Sequence, residues 1–193
     1  MQILEKLVGL DAAALAQLTQ NAERLASTGT EKQRAESEQV LLAIRIERRR
    51  RTVLETTRKE AAKAAIIGRV TDLDLFDRVL LAFQEMPPED WEAEALQVVA
   101  NNPGRDYHFL AQALGKKDGG YMNLAMGSLC SVREVYLGQA PAAEKRKNEK
   151  FYSGLLVDMT PHQEKDGSTW HGWNLKTEAL AALAQLGIVT KAV

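Results

Sequence analysis

The fold is decided by residues 102–115, Asn-Pro-Gly-Arg-Asp-Tyr-His-Phe-Leu-Ala-Gln-Ala-Leu-Gly, and by the segment that follows them. Asn102-Pro103-Gly104 ends a helix that begins near Pro88. Residues 107–114 then form a short helix closed by Gly115, since glycine readily adopts the left-handed conformation at a helix end. After a polar turn over residues 116–120, we predict a third helix from about Tyr121 to Tyr136.

Two strands and a last helix are predicted after these three helices. Residues 151–159 are rich in strand-forming side chains. Asp166-Gly167 is typical of a hairpin turn, and residues 169–175 form the second strand. Trp170 and Trp173 are three positions apart, so alternation along a strand predicts one tryptophan in the core and the other exposed. A final helix over residues 176–186 ends before a glycine.

This order of elements over residues 88–190 resembles the winged helix-turn-helix superfamily, which is found in bacterial transcription regulators. The resemblance covers about half of the chain and rests on element order and on the Asn-Pro-Gly and Leu-Ala-x-Ala-Leu-Gly pattern. It implies double-stranded DNA as a partner, with the third helix in the major groove and the hairpin as the wing. Winged helices also serve protein–protein contacts, so the alternative is an interaction or assembly module that binds no nucleic acid.

The third helix has an apolar and a polar face. Met122, Ala125, Leu129 and Val132 form one stripe at helical spacing, which we expect to face the core. Asparagine can pair with adenine, while serine and tyrosine contact bases or phosphates and basic side chains contact phosphates. In this domain the predicted nucleic-acid-binding residues are Lys116, Lys117, Tyr121, Asn123, Ser128, Arg133 and, in the wing beside two acids (Glu164 and Asp166), Lys165.

The first third of the chain predicts an αα-hairpin. Asp11 is a helix N-cap before an alanine- and leucine-rich segment, and Gly29 ends that helix in a left-handed cap. Thr30 and Gln33 fit a capping box for the next helix. No proline or glycine interrupts the chain from Glu31 to about Ile67, which indicates one long helix or two with an inconspicuous joint.

The long helix carries four consecutive arginines, residues 48–51, which have two interpretations. Arg48 and Arg49 are predicted to contact phosphates, since arginine has long reach and bidentate geometry. Alternatively the run is a solvated stretch in which Arg51 pairs with Glu47 and Glu55 at i,i+4 spacing.

The same helix could also mediate homo-oligomerisation. Apolar side chains lie near one seam, but an arginine, a threonine and a glutamate interrupt it, so a regular coiled coil is not supported. The apolar positions are Leu42, Ile46, Val53 and Ile67, and the interruptions are Arg49, Thr56 and Glu60.

Charge is unevenly distributed along the chain, although the net charge is only −1. Residues 1–70 hold 13 basic and 9 acidic side chains, whereas residues 71–100 hold one basic and eight acidic. The acidic block could dock on a basic block of the same chain or of a partner. We predict a mainly α protein with a helical hairpin over residues 1–70, a connecting helix over 71–87 that starts at Thr71, and a winged-helix domain with a small antiparallel β-hairpin over 88–193.

Several classes of protein are not indicated by the sequence. The apolar runs are shorter than the ~20 residues that a membrane span needs, and we expect a cytoplasmic protein with no membrane partner. The single cysteine, Cys130, excludes an internal disulfide and is expected to be a buried thiol. Asp158, His162 and His171 could meet at a metal, but their spacing matches no motif. No cofactor motif or catalytic arrangement is apparent, so an enzyme is not predicted.

Overall fold

The computed structural model describes residues 2–143, 149–164 and 166–190. Within them the chain is mainly helical, with one two-stranded antiparallel sheet near the C-terminus, as predicted. The chain divides into two compact units, Met1–Ala62 and Lys63–Val193. The predicted boundaries at residues 70 and 87 lie inside the second unit.

The first unit contains α1 (Gln2–Val8), α2 (Ala12–Thr28) and the start of the long helix α3 (Glu31–Val70). The predicted caps are present: the Asp11 carboxylate accepts from the N–H of Ala14 at 2.7 Å, and the Thr30 N–H donates to the Gln33 side chain at 2.9 Å. The predicted left-handed cap at Gly29 is wrong, because that residue is extended, with φ −78° and ψ 169°. A small core joins the three helices, and its buried members are Leu7, Leu15, Ala43 and Ile44.

The second unit contains the remaining elements around one core. Helix α7 packs against α5, α6 and a 3₁₀ turn, while α4 packs against α8 and α9. The largest buried side chains of this core include Trp173, Leu96, Met126 and Leu129. Its elements are α4 (Leu75–Glu85), α5 (Asp90–Asn101), α6 (Tyr107–Ala113), α7 (Gly120–Val132), α8 (Glu134–Leu137), the 3₁₀ turn (Tyr152–Leu155), β1 (Val157–Gln163), β2 (Thr169–Leu175) and α9 (Thr177–Gln185).

Two expectations about helices of this unit are corrected. The helix predicted to run to Tyr136 breaks at Arg133, whose ψ of 6° separates α7 from α8. Val132 is therefore not a core residue and is 51% exposed, although the other three residues of the predicted stripe are buried. Asp74, not Thr71, caps α4, and its carboxylate accepts from the N–H of Asp77 at 2.9 Å.

Besides the pairing of its two strands, the β-hairpin has a second backbone pairing that the sequence did not predict. Residues of β1 and β2 pair from Val157 with Leu175 to Gln163 with Thr169. Arg105, between α5 and α6, forms an isolated antiparallel bridge to Trp173 of β2, whose N–H donates to the Arg105 carbonyl at 2.9 Å. Because Trp173 is only 1% exposed, this bridge also fixes the core tryptophan.

The described residues include one helix that is much longer than the others, α3. None of the helices there, including the 40-residue α3, combines the length and the apolar character that crossing a bilayer requires.

We predict that Gly172→Ala destabilises the second unit by about 2 kcal/mol, a typical cost of overpacking. A Cβ at Gly172 would lie 2.4 Å from the backbone oxygen of Gly104 and would push apart the bridge to β2. All three tryptophans lie in the second unit, so tryptophan fluorescence during urea denaturation reports on this unit.

Gly127→Ala is the matched control, because a Cβ there meets nothing within 4 Å. In the middle of α7 it should raise the unfolding free energy by up to about 1 kcal/mol. Equal stability of the two variants would contradict the close approach at Gly172.

Candidate nucleic-acid interface

The turn between α6 and α7 is held tightly against α6. The Asp118 carboxylate accepts from the N–H of Gly120, the first residue of α7, at 2.8 Å. A Cβ at Gly119 would lie 2.4 Å from Nδ1 of His108 and 2.8 Å from Cδ2 of Tyr107, so the backbone approaches α6 as closely as only glycine allows. These contacts fix the direction in which α7 leaves the turn.

The predicted binding residues at the start of α7 are accessible. Lys116 and Lys117 are exposed, and the Lys116 ammonium lies 4.8 Å from the centre of the half-buried Tyr121 ring. Asn123 and Ser128 are exposed as well. At 100° per residue they lie on either side of Leu124, which occupies the centre of the exposed face.

The exposed face of α7 is neutral. The helix contains no charged residue, and its most exposed large side chain is Leu124, at 76%. Acidic groups next to the turn accept backbone hydrogen bonds at helix starts: Asp118 from the N–H of Gly120, and Asp106, the N-cap of α6, from the N–H of Phe109 at 2.7 Å. The positive charge near this face therefore comes from the turn and not from the helix.

Arg133 must be removed from the predicted binding residues, because it is 2% exposed and all five of its N–H donors are occupied. Two donate to the Glu92 carboxylate at 2.9 and 3.2 Å, and one donates to the Leu129 carbonyl at 2.9 Å. The other two donate to the carbonyls of Met86 and Pro87 at 3.0 and 3.1 Å. The side chain connects the end of α7 to the α4–α5 junction and has no donor left for a phosphate.

Arg105 is a basic residue near the hairpin that sequence reasoning missed. Its backbone pairs with Trp173, while its side chain is exposed and its guanidinium carbon lies 4.8 Å from the centre of the Phe109 ring. The spacing of Arg105 and Phe109 on the two sides of the Asp106 cap is the local signal that could have revealed the stacking.

The hairpin end is acidic in its described part. The indole N–H of Trp170 donates to Glu164 at 2.8 Å, and the Asp166 carboxylate accepts from the N–H of Ser168 at 2.9 Å. Trp170 is half-buried rather than exposed, because its ring stacks on His162 at 4.2 Å. Lys165, the predicted wing cation, lies outside the described residues.

Two further candidates from the sequence are a metal site at the β-hairpin histidines and the thiol of Cys130. His162 and His171 pair with neighbouring positions of the opposite strands, Trp170 and Pro161, so their side chains leave opposite faces of the hairpin and cannot share a metal. Within residues 2–143, 149–164 and 166–190 no cluster of three potential metal ligands is found. Cys130 is buried as expected, and burial raises the pKa of its thiol to about 12.

Three of the four consecutive arginines are engaged within the first unit. Arg50 and Arg51 each donate to the buried Glu47 carboxylate at 2.7 Å, which confirms the i,i+4 pair of Glu47 with Arg51. The expected pair of Arg51 with Glu55 is wrong, because Glu55 pairs with Lys59 instead.

Arg48 and Arg49, the predicted phosphate contacts in this run, differ from each other. Arg48 donates to the Thr19 hydroxyl at 2.9 Å and so links α3 to α2. Arg49 is exposed and has no hydrogen bond or ion pair with the described residues. It is the arginine of this run whose charge is available.

Comparisons with known proteins give no relative for this chain. No protein-family model, no curated protein and no solved structure matches it.

We predict that Arg133→Met lowers the unfolding free energy of the second unit by about 3–5 kcal/mol, because it leaves the Glu92 carboxylate buried without its partner. Urea denaturation followed by tryptophan fluorescence measures the change. The double variant Arg133→Met, Glu92→Leu should lose less than the sum of the two single variants, since neither charge then remains buried alone. A loss below about 1 kcal/mol for Arg133→Met would show that the pair is not buried.

We also predict that Glu47 makes the first unit sensitive to acid. Hydrogen bonds from Arg50 and Arg51 lower the pKa of Glu47 from its ordinary value of 4.5 to about 2. A lowered pKa in the folded state means that the stabilisation is complete above pH 4.5 and disappears as the pH falls through about 2.

Far-UV circular dichroism at several pH values tests the role of Glu47. Glu47→Gln should lower the thermal midpoint at neutral pH. Its thermal midpoint should then fall less on acidification than that of the wild type. Glu38→Gln, at an exposed position of the same helix, should keep the wild-type midpoint at neutral pH. If the pH profiles of Glu47→Gln and the wild type are parallel, Glu47 is not the titrating group.

Proposed function

We propose that residues 88–190 form a winged helix-turn-helix that binds double-stranded DNA through α7 and the turn before it. The arrangement of the elements supports this proposal. Helices α5, α6 and α7 pack on one another and are followed by the β1–β2 hairpin. The bridge from Arg105 to Trp173 adds a short pairing between the first two helices and the second hairpin strand.

The observation that carries the proposal is the uncharged, exposed face of α7 beside two exposed lysines. Asn123 has the donor and acceptor that pair with adenine, and Leu124 can contact a thymine methyl group. Gly127 and Ser128 are small, so the helix backbone can approach the base edges. Lys116 and Lys117 lie where the helix begins and would contact the phosphates that flank the groove.

The charges around this face predict moderate affinity. Asp106 and Asp118, two acids near the lysines, each accept a hydrogen bond from a backbone N–H at a helix start. Asp166 at the hairpin end is exposed and acidic, so the wing would remain away from the backbone or contact it only weakly. With few phosphate contacts, the logarithm of the affinity should fall with the logarithm of the salt concentration by a small slope, of about one per contact.

A second function, docking of another protein, is favoured by two exposed apolar side chains. Leu124 and Val132 lie two turns apart on α7, and they are 76% and 51% exposed. Apolar side chains on one exposed helix face are typical of helix-in-groove contacts between proteins. Because Arg133 lies in the core, this face has no arginine, and arginine is the side chain that most often contacts guanine in the major groove.

Titration of the full chain with mixed-sequence duplex DNA at several salt concentrations tests the proposed function. We expect binding that weakens as salt increases. Lys116→Glu with Lys117→Glu should reduce the affinity by about tenfold or more and the salt slope by about two.

The control carries the same charge reversal elsewhere. Lys6→Glu with Lys32→Glu changes two exposed lysines of the first unit and should bind like the wild type. Equal loss in both double variants would indicate a general charge effect, and absence of binding at low salt would reject DNA binding. In that case Leu124→Glu should be tested against helical peptides selected on the wild-type chain.

A further inference from the structure

Helix α3 presents an exposed apolar seam on the side that faces away from the small core of the first unit. Leu42, Ile46 and Val53 follow the spacing of a heptad seam and are 56%, 48% and 56% exposed. Ile44 and Glu47, on the opposite side of the helix, are buried, and Ile44 belongs to the small core that α3 shares with α1 and α2. From residue 52 to residue 62 every side chain of α3 is exposed.

Between residues 42 and 60, two unpaired charges of opposite sign interrupt this seam. Arg49 and Glu60 occupy the heptad positions that continue from Leu42, Ile46 and Val53. Neither makes an ion pair or hydrogen bond among the described residues, whereas Arg48, Arg50 and Arg51 all do. A charge in such a seam weakens packing unless the opposite charge faces it, and it thereby selects the register.

We propose that α3 pairs with α3 of a second copy of this chain in an antiparallel orientation, with Arg49 facing Glu60 of the partner subunit. The midpoint of this pairing lies between residues 54 and 55. Two-fold symmetry then forms the Arg49–Glu60 contact twice and places Val53 against Thr56 of the partner subunit on both sides. An in-register parallel pair would instead set arginine against arginine and glutamate against glutamate, which is repulsive.

The seam explains why the occupant is a second copy. Its two charges are opposite in sign, so an antiparallel pairing about a two-fold axis sets each of them against the other and makes the surface complementary to itself. An uncovered helical segment of this length is marginal in water unless another element packs on it. Since only a few apolar residues contribute, the dimer should be weak and depend on protein concentration.

A charge-swap experiment on the full chain tests this pairing by sedimentation velocity. The wild type should change from monomer to dimer between low and high micromolar concentration. Arg49→Glu and Glu60→Arg should each raise the dissociation constant by about tenfold or more, since each creates two like-charge contacts. The double variant Arg49→Glu, Glu60→Arg should recover the wild-type dissociation constant. In a parallel pair each single variant would only exchange one like-charge contact for another, so its dissociation constant would stay near the wild-type value.

Arg58→Glu is the matched control, because this exposed arginine lies on the other side of α3 and should leave the dissociation constant unchanged. Circular dichroism of each variant at low concentration verifies that the helices are intact. A wild type that stays monomeric, single variants that dimerise normally or a double variant that does not recover would each overturn the proposal. DNA binding is measured separately with the Lys116 and Lys117 variants, so failure of one proposal leaves the other distinguishable.

Discussion

A guanidinium is stable in a protein interior only where each of its donors has an acceptor and its charge has a partner. Arg133 satisfies this condition by joining α7, the first turn of α5 and the α4–α5 junction in one cluster. The carboxylate of Glu92 also accepts from the N–H of Glu89, so the acid that neutralises the arginine also caps a helix. The direction of α7, and with it the exposed face that carries Leu124, depends on this cluster.

Other arginines of the chain also bind carbonyl groups at helix ends. Arg51 donates to the carbonyls of Leu7 and Leu10 at 3.0 and 2.7 Å, at and just beyond the end of α1. Arg78 donates to the carbonyls at residues 70 and 71, where α3 ends. The last carbonyls of a helix lack internal partners and carry partial negative charge, which makes a cation stabilising there. A count of basic residues therefore overestimates the positive charge that is available to a phosphate.

Local signals in the sequence predicted most of the long helices and several of their ends, because a cap depends on residues three or four positions apart. Asp11, Thr30 and the left-handed Gly115 are examples. The features that were missed join distant residues: Arg133 and Glu92 are 41 positions apart, and Arg105 pairs with β2 much later in the chain. The spacing of apolar residues along the sequence does not indicate such long-range contacts. Asn123 and Ser128 are accordingly exposed, as their helical spacing predicted, whereas Arg133, a predicted cation of the same site, belongs to the core.

The two proposed surfaces use charge in opposite ways, and both follow from which charges the fold leaves free. On α7 the exposed face is neutral and the two lysines lie beside it in the preceding turn. Contact with a polyanion would therefore be strongest at the N-terminal end of the helix. On α3 the free charges stand within an apolar seam, where they act through register and orientation. A dimer formed by α3 would carry two α7 faces and two lysine pairs. A moderate affinity of each face for DNA would become a strong avidity if both faces could reach one duplex, since the second contact would then be intramolecular.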